Sequence, residues 1–205
     1  MNEDQAREWV RNTFGISREN KLDAFADILR AGSSQQNLIS ASTLDTLWSR
    51  HLVDSAQLVP LASQAREGVW LDVGSGAGLP GIVVAALLDR PVVLVEPRAK
   101  RVEFLRDAAA ALGLEVTVQH SKVETYQPTQ PVAVVSARAV AELSKLLAST
   151  VHCTDSSTVW LLPKGRNAQS EVEAARRKWQ GSFHVEPSMT QPDSGIVVAK
   201  GVRPR

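Results

Sequence analysis

Beyond residue 69, short apolar runs alternate with segments of helical length and spacing, and this alternation constrains the fold more than any other feature. The apolar runs are residues 69–73, 92–96, 115–119, 132–136 and 158–162. Strands that alternate with helices predict a parallel sheet with helices on both faces. Two later runs, 183–186 and 195–200, are separated only by the loop 187–194, which is too short for a helical crossover. We therefore predict an α/β fold with a seven-stranded sheet that ends in an antiparallel hairpin.

Residues 1–62 lack this alternation and have helical patterns instead. Apolar residues recur at helical spacing over 22–29, in a helix that we expect to begin at Ser17. A second helical pattern covers residues 44–55. We predict a small helical N-terminal extension over 1–62 that packs on a core domain over 63–205, so that the chain forms one compact unit.

The composition excludes several classes of protein. The chain has 23 Lys and Arg against 22 Asp and Glu, so any contact with nucleic acid has to come from a local basic patch. The single cysteine, Cys153, cannot form an intramolecular disulfide, and the four scattered histidines predict no metal site. The start of the chain is polar and the longest apolar run, 82–88, is too short to span a bilayer. We expect a cytoplasmic protein without a membrane anchor.

A glycine-rich turn follows the first predicted strand. Its pattern is Gly74-x-Gly76-x-Gly78, and Leu79 and Pro80 come next, with Pro80 expected at the first position of a helix. A triphosphate site would need Lys and then Ser or Thr after the last glycine, and neither is present. A dinucleotide site would have a glycine where this chain has Leu79. A nucleoside ligand without phosphate therefore fits best.

Two carboxylates near the turn favour one such nucleoside. Asp72 lies two positions before Gly74, where it would repel a pyrophosphate but attract the sulfonium and ammonium groups of S-adenosylmethionine. Glu96 ends the second predicted strand, where a carboxylate can accept hydrogen bonds from both ribose hydroxyls. We predict that S-adenosylmethionine is the cofactor and that Gly74, Gly76 and Glu96 contact it.

Longer motifs resemble one family. They are DVGSGAGLPGI from residue 72, EPRAKRVEFLR from 96, SKVETY from 121, ARAVAEL from 137 and PKG from 163. Asn37-Leu38 and the segment 50–55 are similar to the N-terminal signatures of the same family. This is the glucose-inhibited division protein B family of small-subunit (16S) ribosomal RNA guanine-N7 methyltransferases. The resemblance extends in order from Asn37 to Lys164.

The resemblance implies a fold and a cofactor site. The fold is that of class I S-adenosylmethionine-dependent methyltransferases, which is Rossmann-like and has a seven-stranded sheet with a terminal hairpin. The implied cofactor contacts are Gly74, Leu79, Val123, Glu124 and Arg138. Glu124 and Arg138 also follow predicted strands, so they are expected at the carboxyl edge of the sheet, where ligands of such sheets bind.

The implied reaction is methyl transfer to N7 of a specific guanine in the decoding region of 16S ribosomal RNA. N7 has an exposed lone pair, so we expect positioning and in-line transfer without a general base. No catalytic residue is assigned, although Arg138 is a candidate for positioning substrate or cofactor. The predicted RNA-binding residues are Arg50, His51, Lys100, Arg101, Lys164 and Arg166. The expected partner is 16S ribosomal RNA or the small ribosomal subunit, bound by a monomer.

Two other functions stay open at the level of the sequence. One is a methyltransferase that acts on another RNA, a small molecule or a protein. The other is a non-catalytic RNA-binding or assembly protein that has retained the cofactor fold.

Overall fold

The computed structural model describes all of residues 1–205. The helices are α1 Glu3–Phe14, α2 Ile16–Gln35, α3 Asp54–Ala56, α4 Leu58–Leu61, α5 Gly81–Leu87, α6 Ala99–Ala111, α7 Leu143–Thr150 and α8 Ala168–Ala175. The strands are β1 Trp70–Val73, β2 Val92–Glu96, β3 Val116–His120, β4 Val134–Ser136, β5 Val159–Lys164, β6 Trp179–Pro187 and β7 Gly195–Pro204. Short 3₁₀-helices cover Ala41–Thr46, Val123–Thr125 and Val151–Cys153, and a π-helix covers Trp48–Val53.

The seven strands form one sheet in the order β3-β2-β1-β4-β5-β7-β6. The first five pair in parallel, whereas β7 pairs antiparallel with both β5 and β6. The prediction of a seven-stranded α/β fold with a terminal hairpin is therefore confirmed. The strand order reverses between β1 and β4, and a reversal of this kind opens a crevice at the carboxyl ends of the strands.

Alternate residues of the strands build two hydrophobic clusters, one on each face of the sheet. Trp70, Leu94 and Leu161 lie in a cluster that also contains the buried side chains of α1, α2, α5 and α6. Leu71 and Trp160 lie in a cluster shared with α7, α8 and the hairpin. Because residues of a strand point to opposite faces in turn, both faces of the sheet are apolar and both are covered. The N-terminal helices are thus part of the layer on one face.

The helices of the N-terminal region differ in detail from the sequence expectation. The first helix begins after Asn2, whose side chain and that of Gln5 form a capping box. The second begins directly after Gly15, at φ +88°, and not at Ser17. The predicted helix over 44–55 is a succession of 3₁₀, π and α geometry. Apolar spacing predicts which side of such a segment is buried, but it does not distinguish these three hydrogen-bond patterns.

Two further elements differ from the prediction. Pro80 precedes α5 as its N-cap residue and does not occupy the first helical position. The hairpin strands are longer than expected, because the pairing of β6 with β7 continues on both sides of an irregularity between Gln180 and Ser182. Gly181, at φ +143°, lies at this irregularity and interrupts the alternation that identifies a strand in the sequence. None of the helices has the length and apolar character that crossing a membrane requires.

The start of α5 is packed so closely that it tolerates no side chain. A Cβ on Gly81 would lie 2.3 Å from Leu94 Cδ2 and 2.7 Å from Asp72 Oδ2. We expect Gly81→Ala to lower the free energy of unfolding by about 1–3 kcal/mol, as overpacking does. Gly165 is the control, because its Cβ would meet nothing within 4 Å. Urea denaturation of both variants tests this, and equal stabilities would contradict the packing described here.

Candidate functional site

The glycine turn lies at the end of β1, beside the crevice where the strand order reverses. Gly74, Gly76 and Gly78 have φ values of +67°, +56° and +83°, which residues with a Cβ rarely adopt. The N–H groups of Gly74 and Ser75 donate to the carbonyl of Val95 on the neighbouring strand. The turn is therefore held against the end of β2, with its backbone accessible at Gly74 and Gly76.

Glu96 closes β2 and binds the turn through its side chain. Its carboxylate is 1 % exposed and accepts hydrogen bonds from the N–H of Gly76 at 2.8 Å and from the N–H and Nε of Arg98 at 3.0 Å each. The Arg98 side chain itself is 66 % exposed. The structure thus brings Gly74, Gly76 and Glu96 together, as a shared ligand site requires.

Asp72 has a structural role that local sequence spacing does not reveal. Its carboxylate is fully buried and accepts hydrogen bonds from Ser136 Oγ at 2.7 Å and from the N–H of Gly81 at 3.2 Å. Ser136 Oγ in turn accepts from Trp70 Nε1 at 2.9 Å. Burial raises the pKa of Asp72 to about 6, against the opposing effect of these hydrogen bonds. The oxygens of Asp72 therefore hold β1, β4 and the start of α5 together, and its attraction for the charged groups of S-adenosylmethionine stays a prediction.

Three other predicted cofactor contacts lie close to this edge of the sheet. Leu79 follows the turn and is buried, with 5 % of its surface exposed. Val123 and Glu124 form a 3₁₀ turn after β3, which pairs with β2, and only Glu124 is exposed. The backbone of Val123 and Glu124 therefore lies at the same edge of the sheet as Glu96. The contact of Leu79, Val123 and Glu124 with a cofactor stays a prediction.

The loop between β4 and α7 separates the glycine turn from a cavity. Val140 is 43 % exposed, and its Cγ2 atom would be 2.8 Å from a Cβ on Gly74. The neighbouring Ala139 has φ +56°, in the left-handed region that residues other than glycine rarely adopt. A ligand that contacts Gly74 from this side therefore has to displace or pack against Val140.

The cavity has a volume of about 1030 Å³ and opens at the carboxyl ends of β4 and β5. Its charged lining consists of three basic and three acidic side chains, Arg50, Arg138, Lys164, Asp54, Glu142 and Glu171. Arg138 donates to Asp54 Oδ2 at 3.2 Å and to His51 Nδ1 at 3.3 Å. Burial, with the charges of Arg138 and Arg50, lowers the pKa of His51 to about 4. The cavity is therefore polar but close to neutral.

The six predicted RNA-binding residues fall into two groups. Arg50, Lys100 and Arg166 are exposed. The other three are partly buried and bonded within the protein. Arg101 donates to the carbonyl of Asn37, and Lys164 Nζ lies 2.9 Å from Glu171 and 2.5 Å from the carbonyl oxygen of Ala141. His51 is bonded at both ring nitrogens. The exposed group is free to meet phosphates, whereas the bonded group also stabilises the rim of the site.

Sequence reasoning missed Asp54, which lines the cavity, and two residues that bond it, Gln57 and Thr190. Asp54 and Gln57 are 8 % and 4 % exposed, and Thr190 on the hairpin loop donates to Asp54 Oδ1 at 3.0 Å. Asp54 lies within the motif over 50–55, which was the only signal available for it. Gln57 and Thr190 carry no signal, since their contacts join segments more than 130 positions apart. Cys153 is buried, which raises the pKa of its thiol to about 11.

Comparison with known proteins identifies relatives along the whole chain. The family model GidB, described as rRNA small subunit methyltransferase G, matches residues 18–194. "Ribosomal RNA small subunit methyltransferase G" of Zymomonas mobilis is 46 % identical, with alignment over 100 % of this chain and 96 % of the relative. The protein of the same name from Cereibacter sphaeroides is 41 % identical over 98 % of this chain and 99 % of the relative.

Solved structures share the fold at low sequence identity. A ribosomal protein L11 methylase from Lactobacillus delbrueckii has a TM-score of 0.55 at 15 % identity, over 72 % of this chain and 78 % of its own. A mutant of MtNAS in complex with S-adenosylmethionine has a TM-score of 0.58 at 16 % identity, over 98 % and 84 %. The fold is that of class I S-adenosylmethionine-dependent methyltransferases, as predicted.

The hydrogen bonds of Ser136 give a stability prediction. Ser136→Ala leaves Trp70 Nε1 and one oxygen of Asp72 buried without a partner, so we expect the free energy of unfolding to fall by about 2–4 kcal/mol. The control Ser34→Ala, whose exposed hydroxyl bonds only the carbonyl of Ala31, should change it by less than about 0.5 kcal/mol.

The loss in Ser136→Ala should also depend on pH. The folded-state pKa of Asp72 is raised to about 6, so its ionisation costs stability as the pH rises towards that value. The Ser136 hydroxyl lowers this pKa, so Ser136→Ala raises it further. In the variant the free energy of unfolding therefore continues to fall as the pH rises above 6. Chemical denaturation should therefore give a larger difference from the parent protein at pH 8 than at pH 5. A difference that is constant between these values would contradict the assigned hydrogen bond.

Proposed function

This chain belongs to the rRNA small subunit methyltransferase G family, and from that premise we propose that it methylates N7 of a specific guanine in the decoding region of 16S ribosomal RNA, with S-adenosylmethionine as the cofactor. The observation that carries the proposal is the bond between Glu96 and the N–H of Gly76, which joins the glycine turn to the end of β2. This bond places two elements that we predict to bind the cofactor, the glycine turn and Glu96, next to each other.

The hydrogen-bond capacity of Glu96 fits a nucleoside. A carboxylate has about four acceptor sites, and three are taken by Gly76 and Arg98. Because the carboxylate is 1 % exposed, a ligand reaches the fourth site when the exposed side chain of Arg98 moves aside, which also frees a second site. Two acceptor sites match the two hydroxyls of a ribose. Gly74 and Gly76 have no Cβ that would obstruct a ligand at the same place.

When bound, S-adenosylmethionine supplies an electrophilic methyl group on its sulfonium. The residues of this chain then have to orient the base and exclude water, because guanine N7 already offers a lone pair and needs no deprotonation. Positioning of this kind contributes on the order of 7–11 kcal/mol. The cavity histidine, His51, is bonded at both nitrogens, which fits a positioning role and not that of a general base.

The cavity beside the turn suits a base taken out of its stack. Its volume of about 1030 Å³ exceeds what a nucleobase needs, and its balanced lining offers both donors and acceptors. The acidic residues also suit the product, because methylation at N7 leaves a positive charge on the base. The exposed side chains of Arg50, Lys100 and Arg166 supply positive charge for the phosphate backbone. These features support RNA as the substrate over a small molecule or a protein.

Cofactor binding is tested with a variant of the site. We expect Glu96→Ala to weaken the binding of S-adenosylmethionine by about ten- to a hundredfold, because the ribose loses hydrogen bonds to a charged acceptor. Glu173→Ala, which alters an exposed helix residue, should bind like the parent protein. Isothermal titration calorimetry measures both, with circular dichroism as a check on folding. Absence of binding in the parent protein would exclude an enzyme that uses this cofactor.

Methyl transfer itself is tested on ribosomal RNA from a strain that lacks this protein. We expect labelled methyl from S-adenosylmethionine to enter 16S RNA, either free or in small subunits, at one guanine. Borohydride reduction and aniline cleavage then break the chain at an N7-methylated guanine and map its position. Label on another atom of the RNA would refute the N7 assignment. Label only in protein or in small molecules would refute the RNA substrate.

A further inference from the structure

Arg138 is held by a continuous chain of hydrogen bonds that runs through His51 and Asp54. It follows β4, lines the cavity and is 19 % exposed at its side chain. Its Nη1 donates to Asp54 at 3.2 Å, and its Nη2 lies 3.3 Å from His51 Nδ1. An arginine has donors only, so His51 Nδ1 has to be the acceptor and carries no proton.

This assignment also determines the protonation of the second ring nitrogen of His51, Nε2. A neutral ring without a proton on Nδ1 has its proton on Nε2, which lies 2.8 Å from Thr43 Oγ1. Thr43 Oγ1 is free to accept, because its own proton is directed to the carbonyl of Ser40 at 2.8 Å. Each donor in this chain therefore meets one acceptor. The pKa of about 4 agrees, since it keeps His51 neutral at physiological pH.

Asp54 is fixed as firmly as His51. Its Oδ1 accepts from Gln57 Nε2 and from Thr190 Oγ1, both at 3.0 Å, which leaves Oδ2 to Arg138. Gln57 is itself held by the hairpin loop, because its Oε1 accepts from the N–H of Met189 at 2.9 Å. The N-terminal extension and the hairpin thus converge on one carboxylate. Neither Asp54 nor His51 can turn without breaking at least two hydrogen bonds.

We infer that His51 and Asp54 are positioning residues, which hold the guanidinium of Arg138 so that its remaining N–H groups present themselves to an oxygen of the RNA substrate in the cavity. The guanidinium has five N–H donors, and these two residues engage two of them, so three remain for the RNA and for the cofactor contact that is predicted for Arg138. The inference rests on the proposed function for the identity of the substrate. It also reassigns His51, which was expected to contact RNA directly, because both of its ring nitrogens are already bonded.

The hydrogen bonds are tested first, in the protein without RNA or cofactor. Two-bond ¹H–¹⁵N correlation spectra distinguish the two neutral tautomers of histidine, and His51→Asn identifies the His51 signals among the four histidines. We expect the Nε2–H tautomer, which persists below pH 6. In Arg138→Met the second tautomer should appear and the pKa of His51 should rise. An Nδ1–H tautomer in the parent protein, or a spectrum that Arg138→Met leaves unchanged, would overturn the inference.

Catalysis is tested with a pair of substitutions that separate the two ring nitrogens. An asparagine at position 51 carries its oxygen near the place of Nδ1 and can still accept from Arg138. A glutamine reaches the place of Nε2 and keeps the Thr43 contact, but it offers no acceptor at the place of Nδ1. We expect kcat/KM for RNA to be at least about tenfold lower in His51→Gln than in His51→Asn, mainly through KM.

The outcomes separate this inference from the proposed function. Equal kcat/KM in the two variants, at matched melting temperatures, would refute a positioning role even if the parent enzyme methylates RNA. If the parent protein transfers no methyl group to RNA, the proposed function fails, and the RNA part of the inference fails with it. The tautomer measurement decides in that case whether Arg138 is held as described, since it requires no substrate.

Discussion

Two buried carboxylates on neighbouring strands hold the turn after β1, and the whole edge of the sheet depends on them. Glu96 accepts from the N–H of Gly76 in the middle of the turn, and Asp72 accepts from the N–H of Gly81 where the turn becomes α5. Both side chains are almost completely buried. An unpaired charge in such a place would be very unfavourable, so the hydrogen bonds from backbone and side chains are a condition of the fold. The same bonds leave the glycines at the surface of the crevice.

The N-terminal extension belongs to the site as well as to the core. Its helices share a hydrophobic cluster with β1, β2 and α5, and its residues Arg50, His51 and Asp54 line the cavity. The hairpin loop contributes Ser188, Gln191 and Ser194 to the lining, and its Met189 and Thr190 bond Gln57 and Asp54. Parts of the chain that look peripheral in the sequence therefore complete the cavity. That 1–62 and 63–205 form one compact unit stays a prediction, and the shared cluster supports it.

The sequence predicts the sheet, its hairpin and the glycine turn, because these depend on local patterns. Apolar runs mark the strands, and the short interval before β7 excludes a crossover. It predicts less well where a side chain points. Asp72 bonds Ser136, which is 64 positions away. Arg101, a predicted RNA contact, bonds the carbonyl of Asn37, another contact across 64 positions. Partners of this kind are decided by the three-dimensional packing, and no local spacing reveals them.

The π-helix Trp48–Val53 links the first helix, α1, to the residues that hold Arg138 at the cavity. A π-turn is less regular than an α-turn and often occurs at functional sites, where it changes the direction of a side chain. Here its first free N–H groups, those of Trp48 and Ser49, donate to the carboxylate of Glu3 in α1 at 2.9 and 2.8 Å. The segment carries His51 and leads directly to Asp54, the two residues that bond Arg138. The first turn of α1 therefore supports the irregular helix, and that helix supports the arginine at the cavity.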